Sequence, residues 1–449
     1  MLMNETIAAI ATAHGVGSIA IIRLSGEKAL AIALTLSRRD TLLPRYATLS
    51  PLYEASGSLI DEAILIYFQA PRSFTGEEVV EFQCHGGLIV AEKILRSALV
   101  AGARLAEPGE FSKRAFLNGR LDLTQAEAIA SLIEAKSDDA ARILARQMKG
   151  ELRGYVETIR DSLLEILAYS EVVIDYAEED LPEDVVDQIV AKLARIKTDL
   201  SCTLEASRRR SGLMQGYRVA IIGKPNVGKS SLLNALLDYE RAIVSDIAGT
   251  TRDTIEEQVR IGTHLIRLVD TAGIRAAGDE IEKIGIERSI AAIENADIVI
   301  SLFDSSRVID DEDRAIIDLI ERHREEKPFI CVLNKADLTE RFDAKILAAY
   351  APIRLSCKEQ TQLLVDALAV HMDHDNESEE MMLISQRQIS AVSEALAAID
   401  DAHEPLHEGE LEFFSFHINR AIRSVASLSR PYELDEMFDK MFGQFCLGK

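Results

Sequence analysis

One glycine-rich segment has the residue types and spacing of a phosphate-binding loop. Gly223-Lys224-Pro225-Asn226-Val227-Gly228-Lys229-Ser230 fits G-x-x-x-x-G-K-[ST] and stands between a predicted strand and a predicted helix, as this loop requires. The glycines let backbone N–H groups close around phosphate oxygens, Lys229 adds charge at the β and γ phosphates, and Ser230 offers a hydroxyl to Mg²⁺. The pattern predicts a nucleotide site that includes Asn226, Val227, Gly228, Lys229, Ser230 and Ser231.

Two downstream segments have the residues that sense a γ-phosphate. Asp270-Thr271-Ala272-Gly273 follows a predicted strand, which places Asp270 at the Mg²⁺ shell and the Gly273 N–H at the γ-phosphate. Gly249-Thr250-Thr251-Arg252-Asp253 offers Thr251 as a second Mg²⁺ ligand that acts as a switch. The order of these segments is typical of GTPases.

Two further motifs favour guanine as the base. In Asn334-Lys335-Ala336-Asp337, the Asp337 carboxylate can accept from guanine N1–H and the 2-amino group, donors that adenine lacks. In Ser356-Cys357-Lys358, which follows the last predicted strand, a backbone N–H can meet guanine O6. We expect Cys357 to pack against the protein interior rather than to do redox chemistry. Together the motifs predict a domain that binds and hydrolyses GTP.

The residues alone do not identify the group that orients the attacking water. Many GTPases place glutamine directly after Asp-x-x-Gly, but Ile274 stands here and cannot orient water. Several carboxylates follow in residues 279–287, and the residues alone do not single out one of them as the group that orients water. Without other information, a solvated acidic helix start is the favoured interpretation of that segment.

Phosphoryl transfer also needs positive charge beside the β and γ phosphates, often supplied by an arginine. Here the side-chain carbonyl of Asn226 can instead coordinate a monovalent cation, although asparagine also suits tight turns. Arg252 and Arg275 are alternative sources of charge. The expected cation ligands are Asn226 of the phosphate-binding loop and Ser245, Ile247 and Thr250 of a second loop. That second loop is expected to contact the nucleotide and comprises Ser245, Asp246, Ile247, Ala248, Gly249, Thr250 and Thr251.

Bulk composition narrows the class of protein. A formal charge of −24 and a sequence pI of about 4.9 argue against a broadly basic nucleic-acid surface. Local clusters such as Arg208-Arg209-Arg210 can still contact RNA, although a solvated helix end is the favoured reading. The 5 cysteines have no paired spacing, and no apolar run is long enough to span a membrane. We therefore expect a cytoplasmic protein.

The elements that must position these residues change in kind along the chain. Strands are predicted at 18–24, 63–68 and 79–83, and then at 218–222, 264–269, 297–303, 329–333 and 353–355. The later set alternates with helices, as in a parallel sheet. A capping box at Thr124-Gln125-Ala126-Glu127 opens long helices that reach about residue 210, with an acidic break at 178–184. An acidic linker covers 373–380.

We therefore expect a multidomain protein with an inserted domain. The predicted parts are an α+β domain at 1–120, a discontinuous helical domain at 121–213 and 376–449, and an α/β P-loop domain of the Ras-like kind at 214–375. Such an insertion is plausible because the ends of an α/β domain often lie close together.

Beyond the GTPase motifs, the chain resembles the MnmE (TrmE) family of tRNA-modification GTPases over essentially its whole length. The phosphate-binding loop is also similar to GTPases of the Era and Der type, but Der-type proteins carry two such domains and this chain has one. The flanking stretches decide the resemblance. They are Ile22–Gly26, Ser73–Glu77, His85–Gly87, Pro108–Ser112, Ala115–Leu123 and the terminal Phe445-Cys446-Leu447-Gly448-Lys449.

The resemblance implies a homodimer formed through N-terminal domains that bind a tetrahydrofolate derivative, 5-formyl or 5,10-methylene. The family's folate contacts fall on Arg23, Glu81, Arg120 and Lys449, and the family often has lysine at the position of Arg120. The resemblance further implies a flavin- and NADH-using partner of the GidA (MnmG) type, in a heterotetramer. Together the two proteins would add an aminomethyl-type or carboxymethylaminomethyl group to C5 of the wobble uridine of certain tRNAs.

The resemblance also assigns roles within the GTPase and the tail. The family's water-orienting glutamate falls on Glu282, and K⁺ is the expected cation at Asn226, with hydrolysis requiring paired GTPase domains. Cys446 is expected to be functional, since Lys449 of the same tail is expected at the folate pocket. Two alternatives are a ribosome-assembly switch of the Era or Der kind and a folate-binding scaffold with a vestigial GTPase.

Overall fold

The computed structural model places its described residues in two compact units. The described residues are 5–13, 15, 17–135, 137–175, 185–209, 212, 214, 216–240, 257–261, 264–269, 284–357, 361–373 and 381–430. The first unit lies within Met1–Ile133, Arg146–Ile196 and Ser390–Lys449, and the second lies within Glu134–Ala145 and Lys197–Ile389.

The N-terminal part of the first unit is built on one mixed sheet. Its elements are β1 (Ile7–Ile10), β2 (Ile19–Ser25), α1 (Ala29–Ser37), β3 (Thr48–Tyr53), β4 (Leu59–Phe68), β5 (Val79–His85), α2 (Leu88–Val100), β6 (Arg104–Leu105) and α3 (Glu110–Leu117). The strand order is β3-β4-β5-β2-β1-β6, and every pair is antiparallel except β1 with β6. The three predicted strands correspond to β2, β4 and β5, while β1, β3 and β6 were not predicted.

Alternation along the central strands separates the core from the polar face. Phe82 of β5 and Ile22 of β2 are fully buried in the core that includes Ile32 of α1 and Ile94 of α2. Because successive side chains of a strand point to opposite faces, Arg23 and Glu81 share the other face of the sheet. The sheet thus presents a charged pair opposite its apolar core.

Helices make up the rest of the first unit. They are α4 (Leu123–Glu134), α5 (Asp138–Met148), α6 (Glu151–Asp175), α7 (Val185–Arg209), α12 (Gln386–Asp401), α13 (His403–Glu408) and α14 (Leu411–Ser427), of which α4, α5, α7 and α12 reach across the limits between the units. The buried hydroxyls of Ser170 on α6 and Ser415 on α14 lie 3.0 Å apart in this bundle. The expected acidic break at 178–184 lies outside the described residues.

The predicted capping box at the start of α4 was wrong by two residues. Asp122 Oδ1 accepts from the Gln125 N–H at 2.9 Å, and the Gln125 side chain accepts from the Asp122 N–H at 3.1 Å. The Thr124 hydroxyl, expected to cap, donates to the same Asp122 carboxylate at 2.5 Å. Asp122-x-x-Gln125 fits the capping pattern as well as Thr124-x-x-Glu127 does, and the helix begins at Leu123.

The second unit contains the alternating α/β segment. Its elements are β7 (Tyr217–Ile222), α8 (Lys229–Glu240), β8 (Glu257–Ile261), β9 (His264–Val269), α9 (Ile284–Asn295), β10 (Ile298–Asp304), α10 (Asp311–His323), β11 (Phe329–Asn334), a 3-10 helix (Ala344–Tyr350), β12 (Ile353–Arg354) and α11 (Gln362–Asp373). The strand order is β12-β11-β10-β7-β9-β8. Apolar clusters cover both faces, as is typical of a parallel sheet between helices.

The edge strand β8 was not among the predicted strands, and it departs from the predicted parallel arrangement. It pairs antiparallel with β9, with Val259 opposite Ile266. Only two residues separate these strands, too few for the crossover that a parallel pair needs. The remaining pairs in the described sheet are parallel, as expected. Within the described part of the chain, no helix has the length and apolar character needed to cross a membrane.

Candidate nucleotide-binding site and a polar cluster in the first unit

The predicted phosphate-binding loop lies between β7 and α8. Gly223 has φ 155°, Asn226 φ 61° and Gly228 φ 106°, so three of its residues use backbone conformations that L side chains rarely adopt. A Cβ at Gly223 would stand 2.6 Å from the Leu302 carbonyl oxygen, and a Cβ at Gly228 would stand 2.3 Å from Nδ2 of Asn334. Both glycines are therefore required by close approach of neighbouring groups.

Lys229 lies over the backbone of this loop. Its Nζ donates to the carbonyl oxygens of Gly223 at 2.6 Å and Lys224 at 2.9 Å. Burial lowers the pKa of Lys229 below its usual range. An anion brought to this ammonium would favour its charged form. Ser230 and Ser231 follow in the first turn of α8 and are exposed, at the helix end that attracts anions.

Asn334, at the end of β11, connects the loop to the guanine motifs. It is 3% exposed, and its Nδ2 donates to the Val227 carbonyl at 2.8 Å. Its Oδ1 accepts from the Cys357 N–H at 3.1 Å. One buried amide therefore fixes the phosphate loop and the segment expected at guanine O6 relative to each other.

Lys335 makes a second connection to the loop. Its Nζ donates to the Asn226 carbonyl at 3.0 Å and to Asp304 Oδ2 at 2.6 Å. Burial alone would raise the pKa of Asp304, but hydrogen bonds from Lys335 and Ser306 outweigh it and hold that pKa below its usual range. Sequence reasoning missed Asp304, and its position at the end of the central strand β10 was the available signal. Asp337, two residues beyond Lys335, is exposed.

The cysteine of the last motif behaves as a packing residue. Cys357 packs against the core of the second unit, and burial raises the pKa of its thiol to about 11. A thiol with so high a pKa is protonated at neutral pH and is a poor nucleophile. This confirms the expectation that Cys357 packs against the protein interior. Ser356 beside it is buried.

Many predicted site residues lie outside the described parts of the chain. They are Ser245, Asp246, Ile247, Ala248, Gly249, Thr250, Thr251, Asp270, Thr271, Ala272, Gly273, Glu282, Lys358, Cys446 and Lys449. Arg208, from the predicted basic cluster, is exposed on α7.

Two of the expected folate contacts pair with each other in the first unit. Arg23 faces Glu81 across β2 and β5, and its Nε donates to Glu81 Oε1 at 2.9 Å. The guanidinium carbon also lies 5.4 Å from the ring centre of Phe74 and 5.8 Å from that of Phe111. The side chains of Arg23 and Glu81 are 20% and 14% exposed, so the pair remains accessible from solvent.

The segment that carries Phe74 also holds the third expected contact. Arg120 Nε donates to the carbonyl oxygen of Ser73 at 3.1 Å, and Arg120 Cγ lies 3.2 Å from where a Cβ would stand at Gly76. Arg23, which is paired with Glu81, and Arg120 therefore both lie against residues 73–76.

A buried ionic network supports this region, and sequence reasoning missed it. Arg114 is 4% exposed and donates to Glu77 Oε2 at 3.1 Å and to Glu110 Oε1 at 3.0 Å. Arg104 donates to the same Glu110 oxygen at 2.6 Å. Burial alone would raise the pKa of Glu110, but the hydrogen bonds from Arg104 and Arg114 hold it below its usual range. The only sequence signal was that Glu77 and Glu110 fall within stretches that carry the family resemblance.

Comparisons with known proteins cover nearly all of the chain. A family model described as "GTP-binding protein TrmE N-terminus" matches residues 6–120, and one described as "MnmE helical domain" matches residues 123–446. A Sulfurimonas denitrificans protein named tRNA modification GTPase MnmE is 65% identical over 448 residues, which is 100% of each chain. Proteins of the same name from Sulfurovum sp. and Aliarcobacter butzleri are 59% and 58% identical, over 100% of this chain and 99% and 100% of theirs.

Proposed function

The chain belongs to the MnmE (TrmE) family, and from that premise we propose that it is a GTP-hydrolysing enzyme of tRNA modification. The observation that carries the proposal is the bonding of Asn334 to both the phosphate loop and the Cys357 segment. That arrangement couples phosphate binding to recognition of one base. A chance match to the loop pattern would not produce it.

In this proposal, guanine selection falls to Asp337. Its carboxylate is exposed, and the neighbouring Lys335 is fixed by Asp304. Guanine presents N1–H and a 2-amino group to such a carboxylate, whereas adenine presents neither. The Cys357 segment, fixed by Asn334, supplies the backbone N–H for guanine O6.

Phosphate binding falls to the loop and the start of α8. The Lys229 ammonium has three N–H donors, so it would exchange its contact with the Gly223 carbonyl for the β and γ phosphate oxygens and keep its contact with the Lys224 carbonyl. The exposed Ser230 hydroxyl and Thr251 would hold Mg²⁺, which supplies charge stabilisation for the phosphates. The exposed Asn226 would ligate K⁺ with its side chain, while Lys335 engages its main-chain oxygen. Glu282 would orient the attacking water.

The reaction proposed for the whole protein is modification at C5 of the wobble uridine. The first unit would bind a tetrahydrofolate one-carbon donor at Arg23, Glu81, Arg120 and Lys449, in a folate-binding-like fold, with Cys446 taking part. The second unit would be an inserted GTPase domain. The accessible Arg23–Glu81 pair supports this proposal, because it offers both a donor and an acceptor to a ligand that has amino and carboxylate groups. A homodimer with a flavoprotein partner of the GidA (MnmG) type completes it.

Mass spectrometry of tRNA nucleosides tests the proposal. A strain that lacks the protein is complemented with the wild type, with Lys229→Ala or with Arg314→Met, which removes an exposed cation from α10. We expect wild type and Arg314→Met to restore the modified wobble uridine, and Lys229→Ala not to restore it. Normal wobble uridine modification in the strain without the protein would contradict the proposed reaction.

A further inference from the structure

We infer that Lys224 is a positioning residue for GTP hydrolysis, which sets the place of Lys229 by anchoring the phosphate loop to the start of α10. The inference rests on the proposed GTPase activity. Lys224 occupies an unspecified position of the loop pattern, so the pattern assigns it no role. It is nevertheless 7% exposed, which is unusual for a lysine in a surface loop.

The anchor consists of one ammonium and two carboxylates. Lys224 Nζ donates to Asp310 Oδ2 at 2.5 Å and to Asp313 Oδ2 at 2.6 Å. Asp313 is 1% exposed, whereas the Asp310 side chain is 54% exposed. Burial raises the pKa of Asp313, while hydrogen bonding to Lys224 lowers the pKa of Asp310. Among the described residues, Lys224 is the one cation that forms an ion pair with the buried Asp313 carboxylate, which makes this contact more than a surface ion pair.

The two carboxylates are themselves held by the helix. Asp310 is the N-cap of α10, its Oδ1 accepts from the Asp313 N–H at 3.1 Å, and Asp313 Oδ2 accepts from the Asp310 N–H at 3.3 Å. This reciprocal capping box fixes both side chains relative to the backbone of α10. Lys224 therefore reaches a rigid partner rather than two independent surface groups.

The backbone of Lys224 transmits that position to Lys229. Its carbonyl oxygen accepts from Lys229 Nζ at 2.9 Å, so the same residue is bonded to α10 by its side chain and to the phosphate-binding lysine by its main chain. Pro225 follows and restricts the backbone of Lys224 to extended conformations. Displacement of the side chain would therefore move the carbonyl instead of being absorbed by backbone rotation.

Misplacement of a group by about 1 Å can cost about 10²-fold in rate, because the transition state depends more strictly on geometry than the bound ground state does. We therefore expect Lys224→Met to lower kcat for GTP by about 10–100-fold and to change the Kd for GDP by less than about 3-fold. Lys224→Arg, which can still bond both carboxylates, should keep kcat within about 3-fold of wild type. Arg314→Met on the same helix is the matched control.

The double variant Lys224→Met with Asp313→Asn removes the anchor without leaving a buried charge unpaired. It therefore separates an effect of loop position on kcat from an effect of the buried Asp313 charge on stability. It should recover thermal stability yet remain slow, because the anchor is still absent. Asp310→Asn keeps a good cap and removes one contact, so it should fold and should lower kcat by less than Lys224→Met does.

A wild-type kcat in Lys224→Met would overturn the inference, as would a loss of GDP affinity equal to the loss of kcat, or a double variant with wild-type kcat. If Lys224→Met does not fold, an unchanged kcat in Asp310→Asn would overturn it. Wild-type GTP turnover in Lys229→Ala would instead refute the proposed GTPase site, so the two failures are distinguishable.

Discussion

The lysine expected at the phosphates and two arginines of the first unit are bonded to different kinds of group. In the phosphate loop, the partly buried Lys229 is bonded to backbone carbonyls. In the first unit, Arg23 and the buried Arg114 are bonded to carboxylates. Carbonyl oxygens carry only partial charge, so an incoming phosphate competes with them easily.

This difference indicates different kinds of ligand. A lysine held by carbonyls, with its pKa lowered by burial, gains most from a highly charged anion. An arginine that is already paired with a carboxylate presents positive and negative charge side by side. Such a pair suits a ligand that has both hydrogen-bond donors and acceptors. We therefore expect the partners of the charged residues, more than the charged residues themselves, to decide what each region binds.

The largest expected effect follows the removal of Lys229, the cation that is bonded to backbone carbonyls. We expect Lys229→Ala to lower kcat/KM for GTP by about 10³-fold, because charge-assisted donors at the phosphates act mainly in the transition state. Phosphate release under multiple turnover measures this, with Arg314→Met as the control. A loss of less than about 10-fold would show that Lys229 is not the main phosphate ligand.

In the first unit, where Arg114 is bonded to carboxylates, we expect the effect on the free energy of unfolding. We expect Glu110→Gln to lower the free energy of unfolding by about 2 kcal/mol at neutral pH, since the buried Arg114 loses one of its two carboxylate partners and keeps Glu77. The folded-state pKa of Glu110 is lowered, so its contribution is present above its unfolded-state pKa and is lost as pH falls through the folded value. The difference between Glu110→Gln and wild type should therefore shrink on acidification. Thermal unfolding between pH 7 and about pH 3, which extends below the ordinary glutamate pKa of about 4.3, measures this, and a pH-independent difference would contradict it.

Asp337→Asn tests whether base recognition is separable from phosphate binding. We expect GTP affinity to fall by about 10²-fold, because two hydrogen bonds to a charged acceptor are weakened. Inorganic triphosphate has no base. Its affinity for the variant, measured by competition with a nucleotide, should therefore equal its affinity for the wild type. Equal weakening of triphosphate binding would mean that Asp337 supports the phosphate loop instead. Titration with fluorescent nucleotide provides both values.

The smallest effect is expected at the Arg23–Glu81 ion pair. Arg23→Met should weaken 5-formyltetrahydrofolate binding by about 10-fold, since one charge-assisted contact is lost while Glu81 remains. Lys93→Met is a matched control, because Lys93 forms an exposed ion pair with Glu54 in the same unit. GTP turnover should stay unchanged in both variants. Isothermal titration calorimetry measures the affinity, and equal affinity in Arg23→Met and Lys93→Met would remove Arg23 from the proposed pocket.

The parts of the site that sequence predicted are local in the chain. The loop from Gly223 to Ser231 is contiguous, and its glycine and lysine positions follow from backbone geometry alone. The strands β7, β9, β10 and β11 were predicted because each is a short and mainly apolar run.

The parts that sequence did not predict depend on residues far apart in the chain. The Lys224–Asp313 contact joins positions 89 residues apart, and the Arg114–Glu77 contact joins positions 37 apart. No local pattern specifies such pairs, because they arise only when separate elements pack. The capping box at α4 failed for a different reason: two overlapping segments fitted the same pattern, and the pattern alone does not distinguish between them.

The Asn334 side chain forms hydrogen bonds with two loops, and this affects how base preference can be redesigned. Its amide fills the space that any side chain at Gly228 would need, and it joins two loops. Selection for a different purine could therefore accept changes at the exposed Asp337, where an asparagine would suit the C2 carbonyl of xanthine. A change at Asn334 would disturb triphosphate and base together, so orthogonal nucleotide variants of this enzyme should be sought at Asp337 and should leave Asn334 intact.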